Sequence, residues 1–146
     1  MKTKLALGAD HAGYEYKDKL IAYLSENGYE CVDCGTNGPE SVDYPIHASK
    51  VCELVRSGEC AFGILVCGTG IGMSIAANKH RGIRAALCNE AESTAMTRHH
   101  NNSNVLCLGA RMIPFETALE LTKVFLTTEF DGGRHERRVK MLDNLL

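Results

Sequence analysis

Four short stretches of this chain carry residue types that can do chemistry. The first is Cys67-Gly68-Thr69-Gly70-Ile71-Gly72. A cysteine ahead of alternating glycines lets backbone N–H groups come close to a ligand. Such a loop reads as an oxyanion-binding nest, whose dipoles favour thiolate over thiol at Cys67. The glycine spacing is not the dinucleotide fingerprint, whose third glycine falls one residue later. Glu90 could still serve as the acid that such a site needs, so spacing alone does not settle the point. The nest is the better physical reading. A phosphatase loop is excluded, because no arginine follows Cys67 before Arg81.

The second stretch is Gly8-Ala9-Asp10-His11-Ala12-Gly13. It mimics the start of a P-loop, but Tyr14-Glu15 replaces the required Lys-Ser/Thr, which excludes a nucleoside-triphosphate site. Asp10 is expected to cap the helix that follows. A charged histidine is unfavourable at a helix start, and an anionic ligand beside His11 would reverse that balance. The third stretch is Arg98-His99-His100-Asn101-Asn102. Adjacent histidines diverge by about 100° on a helix and rarely share a metal ion. The helix dipole favours one histidine near a C-terminus but leaves the rest of the polar run unexplained. The fourth stretch is Gly132-Gly133-Arg134-His135-Glu136-Arg137-Arg138. Arg134 and Arg138 lie one helical turn apart, and two guanidinium groups so placed can fork around one phosphate. A solvated basic face is the competing reading. Arg111 is a further candidate at a strand end.

These stretches need elements to hold them, and the hydrophobic pattern alternates strand and helix throughout. Strands are expected over Leu5–Ala9, Tyr29–Cys34, Phe62–Cys67, Ile83–Cys88 and Val105–Leu108. Helices are expected over Asp10–Asn27, from Pro45 to Gly58, and over Met73–Asn78, Glu90–His99, Pro114–Thr128 and Arg134–Leu146. The first helix should turn Tyr16, Leu20, Ile21 and Leu24 inward. Together they imply an α/β fold of three layers, α/β/α, with a Rossmann-like five-stranded parallel sheet and a C-terminal helix. Ligands in such folds bind beyond the carboxyl ends of the strands, near the switch in strand order.

The chain has 146 residues, 45% of them hydrophobic and 23% charged, and a formal net charge of −2. That size and balance suit one domain over residues 1–146. They offer no general field for nucleic acid or an acidic membrane, so any anion site is local. No apolar run reaches the roughly 18 residues of a membrane span. Met1-Lys2-Thr3-Lys4 leads straight into a strand without the regions of a signal peptide, which points to the cytoplasm. Seven cysteines, an odd number mostly in apolar settings, fit buried thiols in a reducing compartment. Cys31 and Cys34 form a CxxC, but on a strand they face opposite ways, so a structural role is expected.

Taken in order, the motifs resemble those of the type B ribose-5-phosphate isomerases, close to galactose-6-phosphate and allose-6-phosphate isomerases. The matching residues are Gly8-x-Asp10-His11-x-Gly13, Asp43-Tyr44-Pro45, Cys67-Gly68-Thr69-Gly70-x-Gly72, Arg98-x-His100-Asn101, Gly109-x-Arg111 and Gly132-Gly133-Arg134-His135-x-x-Arg138. The similarity covers almost the whole chain. It implies interconversion of ribose 5-phosphate and ribulose 5-phosphate through an enediolate, with no metal and no cofactor. It also implies a homodimer with two shared sites, sometimes paired into tetramers.

On that resemblance Cys67 is the base, His100 opens the furanose ring and Thr69 assists. The amides of Gly68, Gly70, Ile71 and Gly72 hold the enediolate oxygen. Asp10 binds sugar hydroxyls, and Tyr44 belongs to the substrate-binding set. His11, Arg134 and Arg138 bind the phosphate, while Asn101 and Arg111 reach across from the partner subunit. One branch of the family uses a glutamate just after the glycine loop. Met73 stands there in this chain, which places it with the cysteine branch. His99 and Arg137 receive no role. The chemistry agrees, since proton abstraction beside a carbonyl needs a base and donors aimed at the developing charge. The rivals are a non-catalytic phosphosugar-binding module and a cysteine-based redox enzyme.

Overall fold

Alternation along the strands decides which helices cover which face of the sheet. The computed structural model describes residues 1–146. Its strands are β1 (Thr3–Ala9), β2 (Tyr29–Asp33), β3 (Phe62–Cys67), β4 (Ala85–Leu87) and β5 (Val105–Gly109). Its helices are α1 (Tyr14–Glu26), α2 (Tyr44–Arg56), α3 (Ile71–Ala77), α4 (Ala91–Asn101), α5 (Phe115–Thr127) and α6 (Arg134–Asp143). The sheet is parallel throughout, in the order β2-β1-β3-β5-β4. Leu5, Leu7, Ile64, Val66, Leu106 and Leu108 point to one face and pack with Leu20 and Leu24 of α1 and Leu121 and Phe125 of α5. Ala6, Leu65, Cys67, Val105 and Cys107 point to the other and meet Val51, Cys52 and Val55 of α2 and Met73 and Ala77 of α3. Strands buried on both faces are why these segments read as unbroken apolar runs.

The order reverses between β1 and β3, so the crevice expected of such sheets opens at their carboxyl ends. Ala9 is opposite Val66 there. Asp10, just past β1, and Cys67, the last residue of β3, come next. The expected element list is recovered, with boundaries moved for local reasons. Helix α1 begins at Tyr14, not Asp10, because Asp10–Gly13 forms a turn of its own. Asp10 Oδ1 accepts from the N–H of Ala12 at 2.9 Å and of Gly13 at 3.1 Å, so it caps that turn and not the helix. Helix α2 starts one residue before Pro45, and α3 starts at Ile71, directly behind left-handed Gly70. Helix α4 runs to Asn101, two residues beyond His99, and β4 is only three residues long.

On α1, Leu20 and Leu24 are buried as expected, while Tyr16 and Ile21 are only partly covered. The same helix buries Lys17 completely. Its Nζ donates to Asp33 (2.7 Å), Asp18 (2.8 Å) and Asn37 (2.9 Å), which is how a buried ammonium is tolerated. All seven cysteines are free. Cys31 and Cys34 pack on opposite faces of the sheet. Burial pushes both thiols up, Cys34 to about 11, so neither is a ready nucleophile. No helix is long and apolar enough to cross a membrane.

Candidate active site

The candidate residues fall into two clusters at opposite ends of the sheet. The first lies at the carboxyl ends of β1 and β3. Cys67 is the last residue of β3 and is 5% exposed. Its Sγ accepts the Gly70 N–H at 3.1 Å, which puts positive charge of a backbone dipole against the sulfur. Only a residue that tolerates φ +79° can make that turn, and a Cβ on Gly70 would also run into Leu87 and the Leu108 backbone. Thr69 Oγ1 accepts the Ile71 N–H at 3.2 Å. Two amides of the expected nest are therefore already engaged, those of Gly70 and Ile71. Gly68, Thr69 and Gly72 remain as the loop's donors for a ligand oxygen.

Around this loop stand four more of the expected residues. Asp10 is 7% exposed, with Oδ1 committed to its turn. His11 Nδ1 accepts the Val42 N–H at 3.3 Å, which leaves its proton on Nε2 in the neutral ring. The Tyr44 ring covers Gly72, where an added Cβ would meet Tyr44 Oη at 2.9 Å. Arg111 lies against the same loop. Its N–H donates to Gly68 O at 2.9 Å, and its guanidinium would meet a Cβ on Gly68 at 3.2 Å. Within one chain Arg111 thus lies against the glycine loop, beside Gly68. Glu90 is also accounted for. Its carboxylate caps α4 through the N–H groups of Ser93 and Glu92, both at 2.8 Å. Those bonds hold its carboxyl below the usual range and leave it unsuited to a ribose.

The second cluster lies at the amino ends of the strands. Helix α4 starts beyond β4 and returns the chain to Asn104, which bonds Gly63 at the start of β3 and Arg84 just before β4. His100 and Asn101 therefore sit at the opposite end of the sheet from Cys67, and a six-residue strand such as β3 runs roughly 16 Å from its first Cα to its last. Helix α6 packs against α4 and brings Arg134 and Arg138, both exposed, to the same end. The His100 ring stacks on His135, with centroids 4.4 Å apart and planes 15° from parallel. Desolvation, then the charges of His100, Arg134 and Arg138, hold the His135 ring below the ordinary histidine range, against an opposing pull from Asp131. His99 Nδ1 bonds Asp131 Oδ1 at 2.7 Å. Sequence reasoning missed both pairings, because each joins residues more than thirty positions apart and neither pair has a local signature.

One chain thus brings Cys67, Thr69, Asp10, His11, Tyr44 and Arg111 together, and separately His100, Asn101, Arg134 and Arg138. It does not bring the two sets together. His11 and the arginine pair, expected on one phosphate, are at opposite ends within a chain.

A crevice at the β1/β3 switch, floored by a cysteine–glycine loop, belongs to a particular family. The family model described as Ribose/Galactose Isomerase matches residues 5–142. The chain is 45% identical to ribose-5-phosphate isomerase B of Escherichia coli (strain K12), over 95% of this chain and 93% of that one. It superposes on a ribose 5-phosphate isomerase from Thermotoga maritima with a TM-score of 0.96 and 50% identity, over 99% of this chain and all of that one. The ribose-5-phosphate isomerase B of Clostridium thermocellum gives the same TM-score at 48% identity, over 98% and 97%. The chain belongs to the ribose/galactose isomerase family and is a sugar-phosphate isomerase. Within that family it groups with the type B ribose-5-phosphate isomerases.

Proposed function

We propose that the chain interconverts ribose 5-phosphate and ribulose 5-phosphate, with Cys67 moving the proton between C2 and C1 through an enediolate. The observation that carries this reading is the Gly70 N–H on Cys67 Sγ, at the end of β3 beside Asp10. A sulfur so partnered is poised to accept a proton beside a carbonyl, and the loop's other amides can face the oxygen on which charge develops. Thr69 assists at the same loop. Asp10 holds sugar hydroxyls, and Tyr44 closes the pocket over Gly72. His100 opens the ring, and Asn101 holds the substrate beside it. Arg134 and Arg138 take the phosphate together with His11.

Those last assignments require a second copy of the chain. The amino-end cluster of one subunit completes the carboxyl-end cluster of the other, giving two shared sites in a homodimer. Exposed Ile46, Ile71 and Ile75 on α2 and α3, and Met141, Leu142 and Leu145 in and after α6, are apolar surface that such an assembly would cover. Seven free thiols support a reducing, cytoplasmic setting. The test is turnover of ribose 5-phosphate, allose 6-phosphate and galactose 6-phosphate by the purified protein. The five-carbon sugar should give the highest kcat/KM. A preference for either six-carbon sugar would move the assignment within the family. Binding of all three without turnover would make the chain a phosphosugar-binding module.

A further inference from the structure

His99 has no part in the chemistry proposed above, yet it makes one of the shortest side-chain contacts in the molecule. Three consecutive residues at the end of α4 grip the chain from the end of α5 to the first turn of α6 at three successive points. Arg98, only 6% exposed, donates from Nε to Thr128 O at 3.0 Å. His99 bonds Asp131 twice: Nδ1 to Oδ1 at 2.7 Å, and its carbonyl accepts the Asp131 N–H at 3.0 Å. His100 stacks on His135. Between the second and third points lies Gly132-Gly133, with φ +68° and +58° and nothing within 4 Å of where either side chain would be. That step has no packing of its own to fix its direction, and Arg134 follows it immediately.

We propose that His99 and Asp131 form a positioning pair that aims Arg134 and Arg138 at the substrate's phosphate. The pair fixes the last residue before the unpacked glycine step, and the His100–His135 stack fixes the second residue after it. With both ends held, α6 presents its two guanidinium groups at a set place relative to His100 before any ligand arrives. Preorganisation of this kind lowers the cost of binding and does not touch the reacting carbons. Its effect therefore falls on phosphate affinity and KM, not on proton transfer at Cys67. The inference rests on the reading of Arg134 and Arg138 as the phosphate anchor.

The test uses the intact protein with His99→Ala, Asp131→Ala, the double variant and His99→Asn. Asparagine keeps a hydrogen-bonding atom near the place of Nδ1. KM for ribose 5-phosphate and the inhibition constant of inorganic phosphate should each rise about fivefold in either alanine variant, the scale of one exposed charge-assisted contact. The double variant should be no worse than either single one, because both remove the same link. kcat should stay within about twofold, and His99→Asn should recover most of the loss. Unchanged KM and inhibition constants in both single variants would overturn the proposal, as would losses that add in the double. If the wild type fails to turn over any phosphosugar, the functional reading fails by itself. Calorimetric binding of inorganic phosphate, weaker in His99→Ala than in wild type, would still uphold the pair.

Discussion

The two ends of the sheet are built in different ways. At the carboxyl end the two central groups, Cys67 and Asp10, are buried, and the candidate groups are held by backbone: Cys67 by the Gly70 N–H, His11 by the Val42 N–H and Asp10 by its own turn. At the amino end they are exposed or half-buried and held by other side chains: His99 by Asp131, His100 by His135, and the arginines only by their helix. The contrast follows the chemistry assigned to each end. A base must sit within hydrogen-bond reach of one carbon-bound proton, which demands a rigid setting with little water. A phosphate can be gripped from open surface, provided that the two halves meet when subunits assemble.

The largest effect should come from the rigid end. Cys67→Ala should lower kcat by about 10² to 10⁴, the usual contribution of a general base, while leaving phosphosugar binding measurable by calorimetry. A variant with near-normal kcat would remove the reason for treating that loop as the reacting centre. At the open end the loss should move to binding. Arg138→Ala should raise KM by about one to two orders of magnitude, at 1.4 kcal/mol per factor of ten for charge-assisted bonds to phosphate. Lysine at 138 should rescue only in part, since it lacks the planar fork. Arg137 points about 100° away from Arg138 on the helix, and Arg137→Ala should be far milder. Steady-state kinetics that rank Arg137→Ala worst would show that the wrong helix face has been chosen. The smallest effect should follow Cys31→Ala or Cys34→Ala. Neither thiol touches either cluster, and activity within about twofold of wild type is expected, because neither removes a contact to the reacting groups.

The same contrast explains what was legible in the sequence. The carboxyl end is written locally: an apolar run, a cysteine and alternating glycines specify strand, loop and helix within a dozen residues. The parallel sheet with helices on both faces follows from that alternation, and the strand order does not. Asp10 was read as a helix cap because the same side-chain oxygen that caps a helix also closes a short turn. The engagement of the Gly70 and Ile71 amides within the loop itself was also hidden, because it depends on the turn's actual dihedral angles. The amino end is written at a distance. His99 meets Asp131, and His100 meets His135, only because α6 packs on α4. The contact of Arg111 with its own glycine loop is hidden for a related reason. Its place against Gly68 comes from β5 lying next to β3, and motif spacing does not carry that adjacency.

The central claim is that a working site takes its base from one chain and its ring-opening and phosphate groups from another. Heterodimers of Cys67→Ala and His100→Asn, purified through two different affinity tags, test it most directly. Each variant alone should be nearly inactive, since every site in it lacks one group. The heterodimer should hold one intact site and one doubly damaged one, and so show about half the wild-type activity per dimer. A heterodimer as inactive as its parents, or two variants that never form a mixed assembly, would contradict the account.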